Sequence, residues 1–409
     1  MVKLSEEDIL HHFFPTTQEL QLSGRNIEEV ENLTFNIDKI KNVKSLDLSK
    51  NEIVRVHQEA FYNFRNLEIL NLSENQISYL AENLFKNSSE LKMLKLADNS
   101  IKTLQRKDLE LLKKLELLDL TKNQIENLGE KTFKPPSNSV RNFAANITDK
   151  IDYSSNLKTI KLTANQITKL YEDNFKGLSN LIELDLSENQ VVFDSNTFRY
   201  LTNLKRLNLS KNKIMNISDE SFKELSKLEE LNLSENEIEF LGTSKSNYPN
   251  ESSDPANFTN KQLTGKPFSG LKNLRTLNLS LNKINKIDSE CFLDLENLEK
   301  FLISNNDLKH FDFACFLKNS KIQHVDLSQN QICKINFSSK NAIGAFMGAL
   351  MGSSSYLTNL RILKLYKNKI QSLDGLSSLP KLEVLILDYY DVLNRHNMFS
   401  THFEVHFFI

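Results

Sequence analysis

The chain has 409 residues, with 51 Lys and Arg against 53 Asp and Glu, for a formal net charge of −2. So even a balance gives no strong pull toward nucleic acid or an anionic bilayer. No stretch reaches the roughly 18 consecutive apolar residues of a membrane-spanning helix, which excludes a span within this sequence.

The first segment, 1–16, opens Met1-Val-Lys-Leu-Ser-Glu-Glu-Asp8, acidic and without the apolar core of a signal peptide. Within it, Asp8–Phe14 is apolar enough to form a short capping helix, with a frayed end as the open alternative.

From 17 to 393 one pattern returns. Its clearest copy is Leu67-Glu-Ile-Leu-Asn-Leu-Ser-Glu-Asn-Gln-Ile77, and the frame comes back 24 residues later over Leu91–Ile101 and again over Leu115–Ile125. It can be followed through Asn51, Asn75, Asn99, Asn123, Asn165, Asn189, Asn212, Asn236, Asn282, Asn306, Asn330 and Asn368, twelve clear repeats. Two degenerate copies place Arg25 and Tyr390 in the Asn slot. Alternating leucines predict one short parallel strand per repeat, apolar on one side and polar on the other. A single repeat cannot bury its own leucines, so neighbours must stack. The Asn follows the strand where the chain turns inward, and its amide can satisfy turn backbone groups otherwise buried unpaired. Ten residues after the Asn falls an aromatic: Phe61, Phe85, Phe133, Phe175, Phe222, Phe292 and Phe316, with Phe198 one earlier and Leu109 substituting. These predict a second apolar spine on the convex side.

The pattern L-x-x-L-x-L-x-x-N-x-I-x-x-L-x-x-x-x-F-x-x-L-x-x resembles the typical 24-residue leucine-rich repeat of Toll-type receptor ectodomains, Slit-type guidance proteins and matrix proteoglycans. The resemblance implies an α/β repeat solenoid: a curved leucine-rich-repeat horseshoe, a parallel β-sheet on its concave face and loops or short 3-10 or α turns on its convex face. It specifies a scaffold rather than an activity.

Three insertions interrupt the step, near 134–151, 242–263 and 336–353. The first begins Lys134-Pro-Pro-Ser-Asn and breaks regular structure; the second, from Gly242, is rich in Ser, Asn and Pro. The third carries Gly344, Gly348 and Gly352 at the spacing of close helix packing, which predicts a small helix laid on the solenoid flank. After 393 comes a tail, 394–409, in which Phe403, Val405, Phe407 and Ile409 alternate with Glu404, His406 and Phe408, a candidate capping strand for the last sheet edge.

No catalytic signature is present, since Thr264-Gly-Lys-Pro lacks the spacing of a phosphate loop. His402, Glu404 and His406 share a strand face able to offer zinc three donors, but a solvated terminal strand is the expectation adopted. His324 and Asp326 share a face in the same way. No metal or cofactor is expected. Cys291 and Cys315 occupy equivalent repeat positions and are read as reduced, half-buried thiols, with a disulfide as the alternative. Of eleven N-x-S/T sequons, Asn146, Asn250 and Asn257 fall in insertions, where a glycan is tolerated, and are the candidate N-glycosylation sites.

The outward slots of the strands are what remains for recognition. Lys205 and Arg206 precede Glu229 and Glu230 one repeat on, a compensating pair that leaves no positive stripe for nucleic acid. Toward the C-terminus the slots turn apolar at Ile362, Tyr366, Val384, Ile386 and Tyr389, marking either a partner site or a surface covered by the tail or by further repeats. The resemblance implies a non-enzymatic module that binds a protein ligand or co-receptor on its concave face, extracellular or at the cell surface. The missing signal sequence and cysteine caps support the alternative, a cytoplasmic scaffold or adaptor, unless the sequence is a fragment.

Overall fold

The computed structural model describes residues 3–4, 18–31, 40, 42–129, 132–133, 156–242, 266–337, 357–373, 376, 379–388 and 404–408. The helix expected over Asp8–Phe14, nearly all of the three insertions, and Tyr389 and His402 lie outside them. The chain divides into two compact units, Met1–Asn208 and Leu209–Ile409.

Every clear repeat, and each of the two degenerate copies, contributes one strand to a parallel sheet. In the first unit these are β1 (Glu19–Gln21), β2 (Ser45–Asp47), β3 (Ile69–Asn71), β4 (Met93–Lys95), β5 (Leu117–Asp119), β6 (Thr159–Lys161), β7 (Glu183–Asp185) and β8 (Arg206–Asn208). In the second they are β9 (Glu230–Asn232), β10 (Thr276–Asn278), β11 (Lys300–Leu302), β12 (His324–Asp326), β13 (Ile362–Lys364) and β14 (Val384–Asp388). The tail adds β15 (Glu404–Phe408), parallel to β14, with Leu385 opposite Val405. Strands pair in chain order with the central apolar residues in register: Leu46, Leu70, Leu94 and Leu118 in one unit, and Leu277, Phe301, Val325 and Leu363 in the other. Each is fully buried.

The register survives the insertions. Ile160 sits opposite Leu118, Leu277 opposite Leu231 and Leu363 opposite Val325, so each insertion leaves and re-enters the stack without a slip. A slip of one residue would turn every leucine of the strand to solvent.

The asparagines explain how one coil is fastened to the next. Asn75 donates from Nδ2 to Leu72 O and Leu48 O, each 3.0 Å, and to Ser73 O at 3.2 Å, while its Oδ1 accepts from Ile53 N at 3.0 Å. One amide thus closes its own turn and grips the preceding coil twice. Across the insertions the same bond recurs, from Ile125 N to Asn165 at 3.0 Å and from Ile238 N to Asn282 at 3.1 Å. The residue just before each ladder Asn has a φ between 51 and 58°, from Lys50 to Lys367. None of them is β-branched, as the left-handed region requires. At Gly270 the requirement is strict: φ is +86° and an added Cβ would stand 2.6 Å from Lys223 O.

The convex side carries the aromatic spine. In the second unit Phe222, Phe268, Phe292 and Phe316 stack at centroid distances of 6.5, 5.8 and 5.5 Å, all with no exposed surface. Phe301, Phe311 and Phe313 join them edge-on or tilted, and Phe337 stacks on Phe313 at 5.0 Å. Short turns stand there as well, at Arg106–Leu109, Glu172–Phe175 and Phe313–Phe316. Just ahead of such turns in the chain, paired two- and three-residue strands form a flank, such as Thr103–Leu104 with Asn127–Leu128 and His310–Asp312 with Lys334–Asn336.

Candidate binding surface

The outward residues of the strands divide into files running across the sheet. The outermost file, seven residues before each ladder Asn, alternates in charge except at Ile182 and Gln323. Glu68 lies 3.4 Å from Lys44 and 2.6 Å from Lys92, and Lys158 lies 2.8 Å from Glu116. The second unit repeats the device with Arg275 and Glu299 at 3.5 Å and Arg361 and Glu383 at 3.6 Å. Lys92 and then Lys44, through their hydrogen bonds, pull the Glu68 carboxyl below its ordinary range. Such exposed pairs neutralise one another and add little stability.

The inner files differ between units. In the first unit a single apolar file, Ile69, Met93 and Leu117, runs in register along β3–β5 beside polar Asn71, Lys95 and Asp119. In the second, Leu302, Ile362, Val384 and Ile386 are all half-buried on the outward face of β11, β13 and β14. Ile362 stands opposite Val384, and Lys364 opposite Ile386. Tyr366 lies half-buried at the end of the same row, its carbonyl accepting from Gln329 N at 2.8 Å. The tail strand places Glu404 beside Val384 and His406 beside Ile386, with His406 Nε2 3.3 Å from Glu404 Oε2. Among the described residues no three His, Cys, Asp or Glu side chains are grouped to hold a metal.

Between β11 and β13 sits His324. Lys300 is opposite on one side and Ile362 on the other, and Asp326 on its own strand pairs with Lys364 at 3.4 Å. Its Nε2 is enclosed and has no hydrogen-bond partner. Burial first, then Lys364 and Lys300, push the imidazole pKa down.

Lys205 and Arg206 end the first unit's sheet, where Arg206 binds Glu183 on the preceding strand at 3.1 Å. Glu229 and Glu230 open the sheet of the second unit. Cys291 and Cys315 are buried free thiols, and burial pushes Cys291 up to about 12. The sequons Asn146, Asn250 and Asn257 lie outside the described residues.

A second asparagine ladder was not anticipated. Nine residues before the first, Asn156 and Asn203 each donate to a carbonyl of the preceding coil at 2.7 Å, as do Asn273 at 2.8 Å and Asn297 at 2.7 Å. The recurring Asn-Leu pair at that offset was its signal.

Parallel three-residue strands in register, an inward Asn ladder and a convex Phe spine define a leucine-rich-repeat solenoid. The chain belongs to the leucine-rich-repeat family: that family's model, "Leucine rich repeat", matches residues 15–77, 41–101, 66–125, 155–214, 202–244 and 259–308, more than half of the sequence. A search of curated proteins finds no match. Among solved structures, a Leptospira interrogans LRR protein is similar at 20% identity and a TM-score of 0.59, covering 95% of this chain and 94% of that one. An internalin of Listeria monocytogenes is similar at 20% identity and TM-score 0.59, covering 90% and 86%. Toll, solved with Spatzle in a Drosophila complex, is similar at 19% identity and TM-score 0.69, with 91% of this chain covering 44% of the other. At these identities the likeness is one of fold. No helix among the described residues is long and apolar enough to cross a membrane.

Proposed function

We propose that the chain is a non-enzymatic recognition module that captures a protein ligand or co-receptor on the outward face of β11–β14. The observation that carries this reading is the half-buried apolar cluster of Ile362, Val384 and Ile386, with Ile362 opposite Val384 and Ile386 two residues along β14, on strands whose other outward positions are mostly polar. Covering them removes apolar surface from water at roughly 25 cal/mol per Å². The first unit's apolar file, Ile69, Met93 and Leu117, is bordered by charges already paired with each other. That Toll was solved with Spatzle supports a protein partner and an extracellular or cell-surface setting, with a cytoplasmic scaffold as the other setting.

The test is capture of partners from tissue by the immobilised chain, comparing the wild type with an Ile362→Asp, Ile386→Asp variant. Loss of a specifically captured protein with an unchanged thermal melt supports the reading. Retention of the same partner overturns it, and so does a collapsed melt, which would make these side chains core.

A further inference from the structure

The flank of the second unit holds one thiol unlike the other two. Cys291 and Cys315 are 2% and 3% exposed, whereas Cys333 is half-exposed. Its Sγ lies 3.7 Å from His310 Nδ1 and 3.3 Å from Lys309 O. Backbone fixes the pair from several directions. Cys333 N donates to Lys309 O at 3.0 Å, Gln371 N donates to the Cys333 carbonyl at 2.9 Å, and His310 stands opposite Lys334 in the adjoining flank strands.

We propose that Cys333 and His310 are a two-residue binding site for a borderline-soft divalent cation of the zinc class. Zinc takes thiolate at about 2.3 Å and imidazole nitrogen at about 2.0–2.1 Å, and at a tetrahedral angle the two donors stand about 3.6 Å apart. The observed separation of 3.7 Å already meets that requirement. No backbone rearrangement is needed, only a small rotation of each side chain to aim its lone pair. On binding, the thiol gives its proton to solvent and the Cys333 sulfur leaves its bond to the Lys309 carbonyl. The imidazole binds as the neutral tautomer with its proton on Nε2, so nothing is oxidised or reduced and one proton is released per cation. Two protein donors leave the remaining positions to water, or to a donor group on another molecule. The buried thiols do not compete, because desolvation holds both in the protonated form.

Cobalt(II) is the probe, titrated into the full chain after reduction and removal of metal, with the thiolate-to-cobalt absorption followed and zinc then added in competition. The expected result is one equivalent of cobalt showing that absorption and displaced by zinc. It should vanish in Cys333→Ser, persist in Cys291→Ser, and require about tenfold or more cobalt in His310→Ala. Cys333→Ser should melt as the wild type does, since that side chain is half-exposed. No thiolate band in the wild type, a band surviving in Cys333→Ser, or unchanged affinity in His310→Ala would each overturn the proposal.

Discussion

The two units are built from the same repeat, yet they fill it differently. In the first, the convex spine is interrupted: Leu109 takes one aromatic place, and Phe85 is buried with no ring neighbour among the described residues. In the second, Phe292 touches Phe268, Phe301 and Phe316 at 5.8, 5.0 and 5.5 Å, so aromatic contacts pass from coil to coil. The outward face follows suit. Paired charges dominate one sheet, while the other gathers aliphatic side chains and an unpartnered histidine. Inward positions are constrained by stacking, and outward ones are free to differ, so a repeat protein can specialise one stretch without altering its fold.

The largest expected effect tests the spine. Phe292→Ala should cost about 4 kcal/mol, because it leaves a cavity and strips three rings of a partner. Phe85→Ala should cost about 1 kcal/mol less, since it forfeits burial but no ring contact. Urea unfolding of both variants decides it, and equal losses would remove the distinction between the units.

Much of this was legible beforehand. The Leu, Asn and Ile of each repeat announce themselves because burial and backbone satisfaction admit few substitutes. Phe268 did not, since counting ten residues forward from Asn236 lands inside the insertion. Counting fourteen back from Asn282, as for Phe61 before Asn75, would have found it. The flank strands are too short to leave an alternating pattern. Alternation in the tail predicts a strand, and Glu404–Phe408 pairs with β14 over five residues. The surface at Ile362, Val384 and Ile386 was visible as a run of apolar outward slots. Its setting beside an enclosed histidine depends on strand register and burial, which no local motif records.

The next effect is acid sensitivity confined to the second unit. Folding lowers the His324 pKa from 6.5, chiefly by burial and then by Lys364 and Lys300, against the opposing pull of Asp326. As pH falls below 6.5, the unfolded chain binds a proton that the folded chain refuses, so stability drops until the folded pKa is reached and then levels. The melting temperature measured from about pH 7 down to about pH 5 should therefore fall less steeply in His324→Gln than in the wild type. The same slope in both would show that another group governs the acid limb.

The smallest effect belongs to the charged file. Glu68 is held below its usual pKa by Lys92 and then Lys44, so its contribution is present above 4.5 and fades as pH falls through the lowered value. Because these groups are exposed, water and salt screen them, and side-chain ordering offsets much of the attraction. Glu68→Gln should shift the melting temperature only slightly at low salt, and by less at about 0.15 M, where the screening length is about 8 Å. A large shift that persists in salt would mean the charged file holds the first unit together, rather than merely keeping its face neutral. The first unit would then owe to its surface charges what the second owes to its stacked rings.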